Sequence, residues 1–100
     1  NTQAGGSYPA SGLRLGMPAH TFKYVYILSS LQDPSRHYTG VTDSLDDRLS
    51  HHNSGACPHT AKYRPWQLEL AVAFRDPSKA LAFERYLKSG SGREFSRRHF

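Results

Sequence analysis

KYVYILSSLQDPSRHYTG, running from Lys23 to Gly40, is the stretch on which the fold turns. KYVYIL is rich in β-branched and aromatic residues, as is HYTGVT at positions 37–42, and Gln-Asp-Pro-Ser-Arg between them is a turn-forming cluster. The stretch therefore predicts two short strands joined by a polar loop. Strand side chains alternate, so Tyr24 and Tyr26 share one face of the first strand and Val25 and Ile27 the other. Tyr38 returns on the partner strand. In a hairpin, Tyr26 and Tyr38 would point their phenols into one patch, and Gly40 would let another group approach the backbone there.

Downstream, TDSLDDRLSHHNSG predicts a helix. Ser44 with Asp47 three residues on is a capping-box pattern, and Asp46 and Asp47 suit the positive end of the helix dipole. Leu45 and Leu49 face the core, and Asn53-Ser54-Gly55 ends the helix. ACPHTAKYRP, residues 56–65, reads as a loop. WQLELAVAF, residues 66–74, alternates as a third strand, with Trp66, Leu68, Leu70 and Val72 on one face and Gln67, Glu69, Ala71 and Ala73 on the other. Asp76 then caps a second helix with Pro77 at its first position, and the helix stops at Gly90. Ser91 to Phe100 predicts a short terminal helix with a basic face, docked by Phe95. The fold expected is α+β: a small three-stranded antiparallel sheet flanked by helices, in the order β-β-α-β-α with a terminal α.

Upstream, residues 1–22 read as a disordered leader, Gly-, Ser-, Ala- and Pro-rich up to Gly16, with Met17 as a candidate natural start. Residues 23–100 form the one domain that a chain of 100 residues predicts. Its single cysteine, Cys57, excludes an internal disulfide and suits a reducing compartment. No apolar run approaches the ~20 residues of a membrane span. A soluble cytoplasmic protein is expected. The net charge of +5 points to a polyanionic partner, the more so because Lys79, Arg85, Lys88, Arg93, Arg97 and Arg98 crowd the C-terminal part against only Glu84 and Glu94.

Three groups of residues have chemical potential. Arg48 and His52 lie one helical turn apart beside the leucine stripe, either solvated or turned toward the tyrosines. Lys62, Tyr63 and Arg64 interleave basic and aromatic side chains, a pattern suited to phosphate contact and base stacking, or simply to an exposed loop. Glu84 falls inside the apolar stripe of Ala80, Phe83 and Leu87. A carboxylate there needs a partner, which would be Arg48, a tyrosine or a metal ion.

In this order the residues resemble the GIY-YIG nuclease family. The family's first triplet maps to Tyr24-Val25-Tyr26 and its second to Tyr38-Thr39-Gly40, with Tyr24 in place of the first glycine and Thr39 in place of the isoleucine. The resemblance extends over roughly Lys23 to Arg93 and is closest to short single-domain members related to the nuclease half of the excision-repair C subunit. It implies Arg48 and His52 as the catalytic pair on the first helix and Glu84, in AFERYLK, as the metal-binding carboxylate. The family's further polar residue, commonly Asn, has no Asn counterpart after Asn53; Ser89 and Ser91 are the residues in that region.

What the resemblance implies is a DNA endonuclease using Mg²⁺ or Mn²⁺, with RNA left open as a substrate. Tyr26 would be the general base, helped by Tyr38, with its pKa lowered from about 10 by Arg48, the metal and Lys62. His52 would take its proton or orient it. Arg48 would hold phosphate, and Lys62, Tyr63, Arg64, Lys88 and Arg93 would contact nucleic acid. One such site cuts one strand, so a double-strand break needs a homodimer or two visits. Two other classes compete. One is a non-catalytic nucleic-acid-binding module, against which Glu84 argues, since a binder gains nothing from an acid facing phosphate. The other is a zinc protein using His51, His52, Cys57 and His59, whose spacing lacks the paired pattern of a zinc site.

Overall fold

The computed structural model describes residues 22–100; the leader expected over residues 1–22, Met17 included, lies outside them except for Phe22. The first strand, β1, spans Lys23–Ser30, two residues beyond KYVYIL. Ser29 and Ser30 stay in the sheet because they pair with His37 on one side and with Gln67 and Trp66 on the other. β2 spans His37–Thr42, α1 Leu45–Asn53, α2 Pro58–Ala61, β3 Trp66–Phe74, α3 Pro77–Lys88 and α4 Gly90–His99. The sheet is antiparallel throughout, in the order β2-β1-β3. The α+β architecture and the element order are those expected.

The central strand supplies both cores. Val25 and Ile27 on one face meet Ala80, Phe83 and Leu87 of α3, with Val41, Leu70, Phe74 and Phe95 around them. Tyr26 and Leu28 on the other face meet Trp66, Tyr38, Tyr63 and the α1 leucines Leu45 and Leu49. The molecule thus has three layers, with α3 and α4 on one side of the sheet and α1 on the other.

Four local expectations change. In β3 the register shifts between Ile27 and Leu28, whose partners are Leu70 and Leu68, so Glu69 is the extra residue. A bulge of this kind reverses the alternation. Trp66 therefore packs beside Tyr26 and Leu28, whereas Leu70 packs on the α3 face, and the single apolar face from Trp66 to Val72 does not exist. Secondly, Ser44 stands at the N-cap of α1 without making a side-chain cap bond; its backbone N–H donates to Thr42 Oγ1 (3.1 Å), which donates to its carbonyl (3.2 Å). Thirdly, the segment read as a loop contains α2, started by Pro58 at its first position and closed by bonds from the Thr60 and Ala61 N–H groups to the Cys57 carbonyl.

The fourth change is at the C-terminus, where Gly90 opens α4 rather than ending a chain of helix. Ser89 terminates α3 and caps α4, its Oγ accepting from the Gly92 N–H at 3.1 Å. Gly92 is buried against the end of α3, and any Cβ there would collide with the Tyr86 carbonyl. Gly92, one of the two glycines expected to break the helix, is what lets α4 pack tightly onto the end of α3. At the start of α3 Asp76 caps as expected, accepting from the Ser78 N–H at 2.9 Å.

Candidate active site

Tyr26 and Gly40 are directly opposed in the β1–β2 ladder. The phenol of Tyr26 crosses the space where a side chain at position 40 would stand: a Cβ built on Gly40 lies 2.5 Å from the tyrosine oxygen and 2.7 Å from Cζ. The close approach expected at Gly40 is that of Tyr26 itself. Tyr38, paired with Leu28, shares this face, with its ring centroid 6.3 Å from that of Tyr26.

α1 lays His52 over the two phenols. His52 is 1% exposed, and its ring centroid is 4.6 Å from that of Tyr38. Its Nε2 is 3.0 Å from the Tyr26 hydroxyl, and its Nδ1 is 2.9 Å from Thr60 Oγ1. Arg48, one turn earlier, is exposed, and its charge acts on both Tyr26 and His52. His52 is therefore not the surface histidine of the alternative reading, whereas Arg48 is exposed.

The electrostatics run against a free phenolate. Burial first, and then the neighbouring Tyr38, push the Tyr26 pKa up to about 12; Arg48 pulls it down, as expected, without prevailing. His52 is lowered from its ordinary value, by burial first and then by the charges of Arg48 and His51. At neutral pH the pair is a neutral phenol bonded to a neutral imidazole, not a phenolate facing a cation.

Glu84 projects from α3, which packs across β1 and β2 from the other layer, and its charge too reaches Tyr26. Its side chain is 17% exposed, and its ion-pair partner among the described residues is Lys88, one turn on, with Nζ at 2.7 Å from Oε2. Arg48 and the tyrosines, the partners considered from sequence, do not bond it. The described residues include no cluster of three or more His, Cys, Asp or Glu able to hold a metal ion. That disposes of a zinc centre at His51, His52, Cys57 and His59, and both His52 nitrogens are already engaged. A single carboxylate does fit Mg²⁺ or Mn²⁺, hard cations that keep several waters and share phosphate oxygens.

The expected nucleic-acid contacts divide. Tyr63 packs against the Trp66 core, with the Arg36 guanidinium 4.5 Å above its ring and Lys62 Nζ 5.5 Å away. Its faces are thus shared with cations. Arg64 turns back to donate from Nε to the Ala61 carbonyl at 2.8 Å. Lys62 is exposed. Lys88 and Arg93 line a groove with His37, Tyr38 and Arg97, on the side where α3 and α4 meet the sheet. Ser89, weighed as a replacement for the family's Asn, is occupied as a helix cap, while Ser91 is exposed.

Sequence reasoning missed Thr60, 1% exposed, and the frame around it. Asn53, read as a helix stop, brackets the Trp66 backbone: its Oδ1 accepts from Trp66 N–H at 2.6 Å and its Nδ2 donates to Trp66 O at 3.0 Å. The Trp66 indole N–H donates to the Thr60 carbonyl at 2.8 Å. The one available signal was the close succession of His52, Asn53, Thr60 and Trp66, polar or aromatic residues around an assumed loop.

A model of the GIY-YIG catalytic domain matches residues 22–98, all but the last two of the described residues. Comparison with curated proteins finds no match.

Proposed function

The chain belongs to the GIY-YIG catalytic domain family, which gives it a nuclease-type domain, and on that premise we propose a metal-dependent endonuclease that hydrolyses DNA phosphodiester bonds, one strand per site. The observation that carries this reading is the buried Tyr26–His52 hydrogen bond, set beside an exposed arginine and within electrostatic reach of a lone carboxylate.

Hydrolysis requires a water to lose a proton while negative charge on phosphorus and the leaving oxygen is held. Tyr26 takes the water's proton on its oxygen as its own proton passes to His52 Nε2. The high pKa of Tyr26 makes this coupled transfer the economical route, because no free phenolate has to form. The hydroxide oxygen bonds to phosphorus, the P–O bond to the leaving strand breaks, and the departing oxygen is protonated from solvent. Arg48 presents its planar fork to the non-bridging oxygens. Tyr38 orients the water. Mg²⁺ or Mn²⁺ on Glu84, once Lys88 has given way, would supply charge stabilisation at the leaving and a non-bridging oxygen. Lys62, Lys88 and Arg93 hold the strand.

The test is nicking of supercoiled plasmid and labelled branched DNA with Mg²⁺ or Mn²⁺, wild type against Glu84→Ala. Cleavage lost in the variant while DNA binding persists is the expected result. Salt-sensitive binding with no cleavage of any substrate by wild type would leave a binding module in place of a nuclease.

A further inference from the structure

Tyr26 hands its proton to His52 only if Nε2 is the unprotonated nitrogen of the neutral ring, and the imidazole alone does not settle which nitrogen carries hydrogen. We propose that Thr60 is the positioning residue that fixes this choice, holding His52 as the Nδ1–H tautomer through the bond between Nδ1 and the Thr60 hydroxyl. This inference rests on the nuclease reading for its purpose but not for its geometry.

The assignment follows from counting donors. With hydrogen on Nδ1, His52 donates to Thr60 Oγ1, Thr60 donates onward to the Cys57 carbonyl at 3.4 Å, and Tyr26 donates to Nε2 at 3.0 Å. Every proton in the chain has an acceptor. With hydrogen on Nε2, the ring donates to Tyr26, and the Tyr26 proton, which has no protein acceptor among the described residues, depends on water reaching a side chain 2% exposed. A buried donor without a protein acceptor is the less favourable arrangement, so the first prevails.

Thr60 can impose the choice because its backbone is hydrogen-bonded at both ends. Its N–H is bonded to the Cys57 carbonyl at 3.1 Å and its carbonyl to the Trp66 indole at 2.8 Å. Asn53, adjacent to His52, is clamped to the backbone of the same Trp66. Histidine and threonine are thus both tied to one tryptophan, which fixes the distance between them. A hydroxyl also suits the task better than a carboxylate. It selects the tautomer without adding a negative charge beside Tyr26, and it still accepts from Nδ1 once the ring becomes an imidazolium.

The test compares wild type with Thr60→Val, which keeps the shape and removes the hydroxyl, and Thr60→Ser, which restores it. Long-range ¹H–¹⁵N correlation spectra report the His52 tautomer directly, with His52→Gln assigning the signals. Wild type and Thr60→Ser should show the Nδ1–H form, and Thr60→Val a mixture or the Nε2–H form. In cleavage assays Thr60→Val should lose about tenfold or more in kcat with KM little changed, and Thr60→Ser should recover most of it. A wild type in the Nε2–H form, or a Thr60→Val protein still in the Nδ1–H form, overturns the proposal. If wild type cuts no DNA, the nuclease reading falls, while an Nδ1–H signal lost only in Thr60→Val still supports the tautomer assignment.

Discussion

Tyr26 and Glu84 lie on opposite sides of the sheet, within electrostatic reach of each other, and are held in opposite ways. Tyr26 is 2% exposed, and its hydroxyl heads a chain of bonds through His52 to Thr60. Glu84 is held by an ion pair within its own helix, to a Lys88 side chain that is 50% exposed. Solvent-screened pairs within one helix contribute about 0.3–0.5 kcal/mol, whereas leaving a buried donor unsatisfied costs about 1–3 kcal/mol. Proton transfer needs a fixed tautomer and a fixed distance, which the proposed roles of Thr60 and His52 would supply on the tyrosine side. On the proposed reading, a cation that arrives with its substrate needs a ligand that can change partners, and Glu84, paired with Lys88 in its own helix, is such a ligand.

The comparison would break most visibly through its end members. Tyr26→Phe should fold normally and cut roughly 10²–10⁴-fold more slowly, the range of a lost general base. Nicking rates set against thermal unfolding would check it, and a fast Tyr26→Phe enzyme would remove the tyrosine from the chemistry. Gly40→Ala comes next. Its methyl would stand 2.5 Å from the Tyr26 oxygen, so the ring must leave the His52 bond. A stability loss of about 1–3 kcal/mol is expected, with cleavage falling alongside. Denaturant unfolding measures it, and unchanged stability would mean the phenol moves freely.

The tyrosine side should also be acid-sensitive. The His52 pKa is lowered in the folded protein, so the unfolded chain binds more protons as pH falls below the ordinary histidine value of 6.5. This contribution is fully present above that pH and is lost as pH falls toward the folded pKa. His52→Gln should flatten that part of the stability profile. The smallest effect is expected on the other side, where Lys88→Ala frees the carboxylate of its competitor. Mn²⁺ should then bind about two- to fivefold more tightly, as removal of a half-exposed pair allows; weaker binding would make Lys88 a helper of the metal rather than its rival.

These contrasts also explain what the sequence disclosed. The hairpin, the third strand and the helices α1, α3 and α4 were legible because periodicity and turn chemistry are local. Tyr26, Tyr38, Gly40, Arg48, His52 and Glu84 were identified by their order along the chain, which the resemblance supplied. The β3 bulge was not legible, since Glu69 looks like any outward residue until β1 is laid beside it. Neither was the upward shift of Tyr26: Arg48 and Lys62 are visible in a sequence, but the burial that outweighs Arg48 is not. Lys88 was read as a phosphate contact, although its spacing of four from Glu84 already allowed the ion pair. Thr60 went unnoticed because nothing in HTAKY announces a helix, and its partner lies eight residues back.

The most direct single measurement is Mn²⁺ binding by electron paramagnetic resonance, in the presence of plasmid DNA, for wild type, Tyr26→Phe and Glu84→Ala, with nicking followed in the same samples. Tyr26→Phe is expected to bind Mn²⁺ as wild type does and to leave the plasmid intact, and Glu84→Ala neither to bind Mn²⁺ nor to nick the plasmid. Mn²⁺ bound equally by Glu84→Ala, or plasmid nicked at the wild-type rate by Tyr26→Phe, would contradict the division of labour between the two sides.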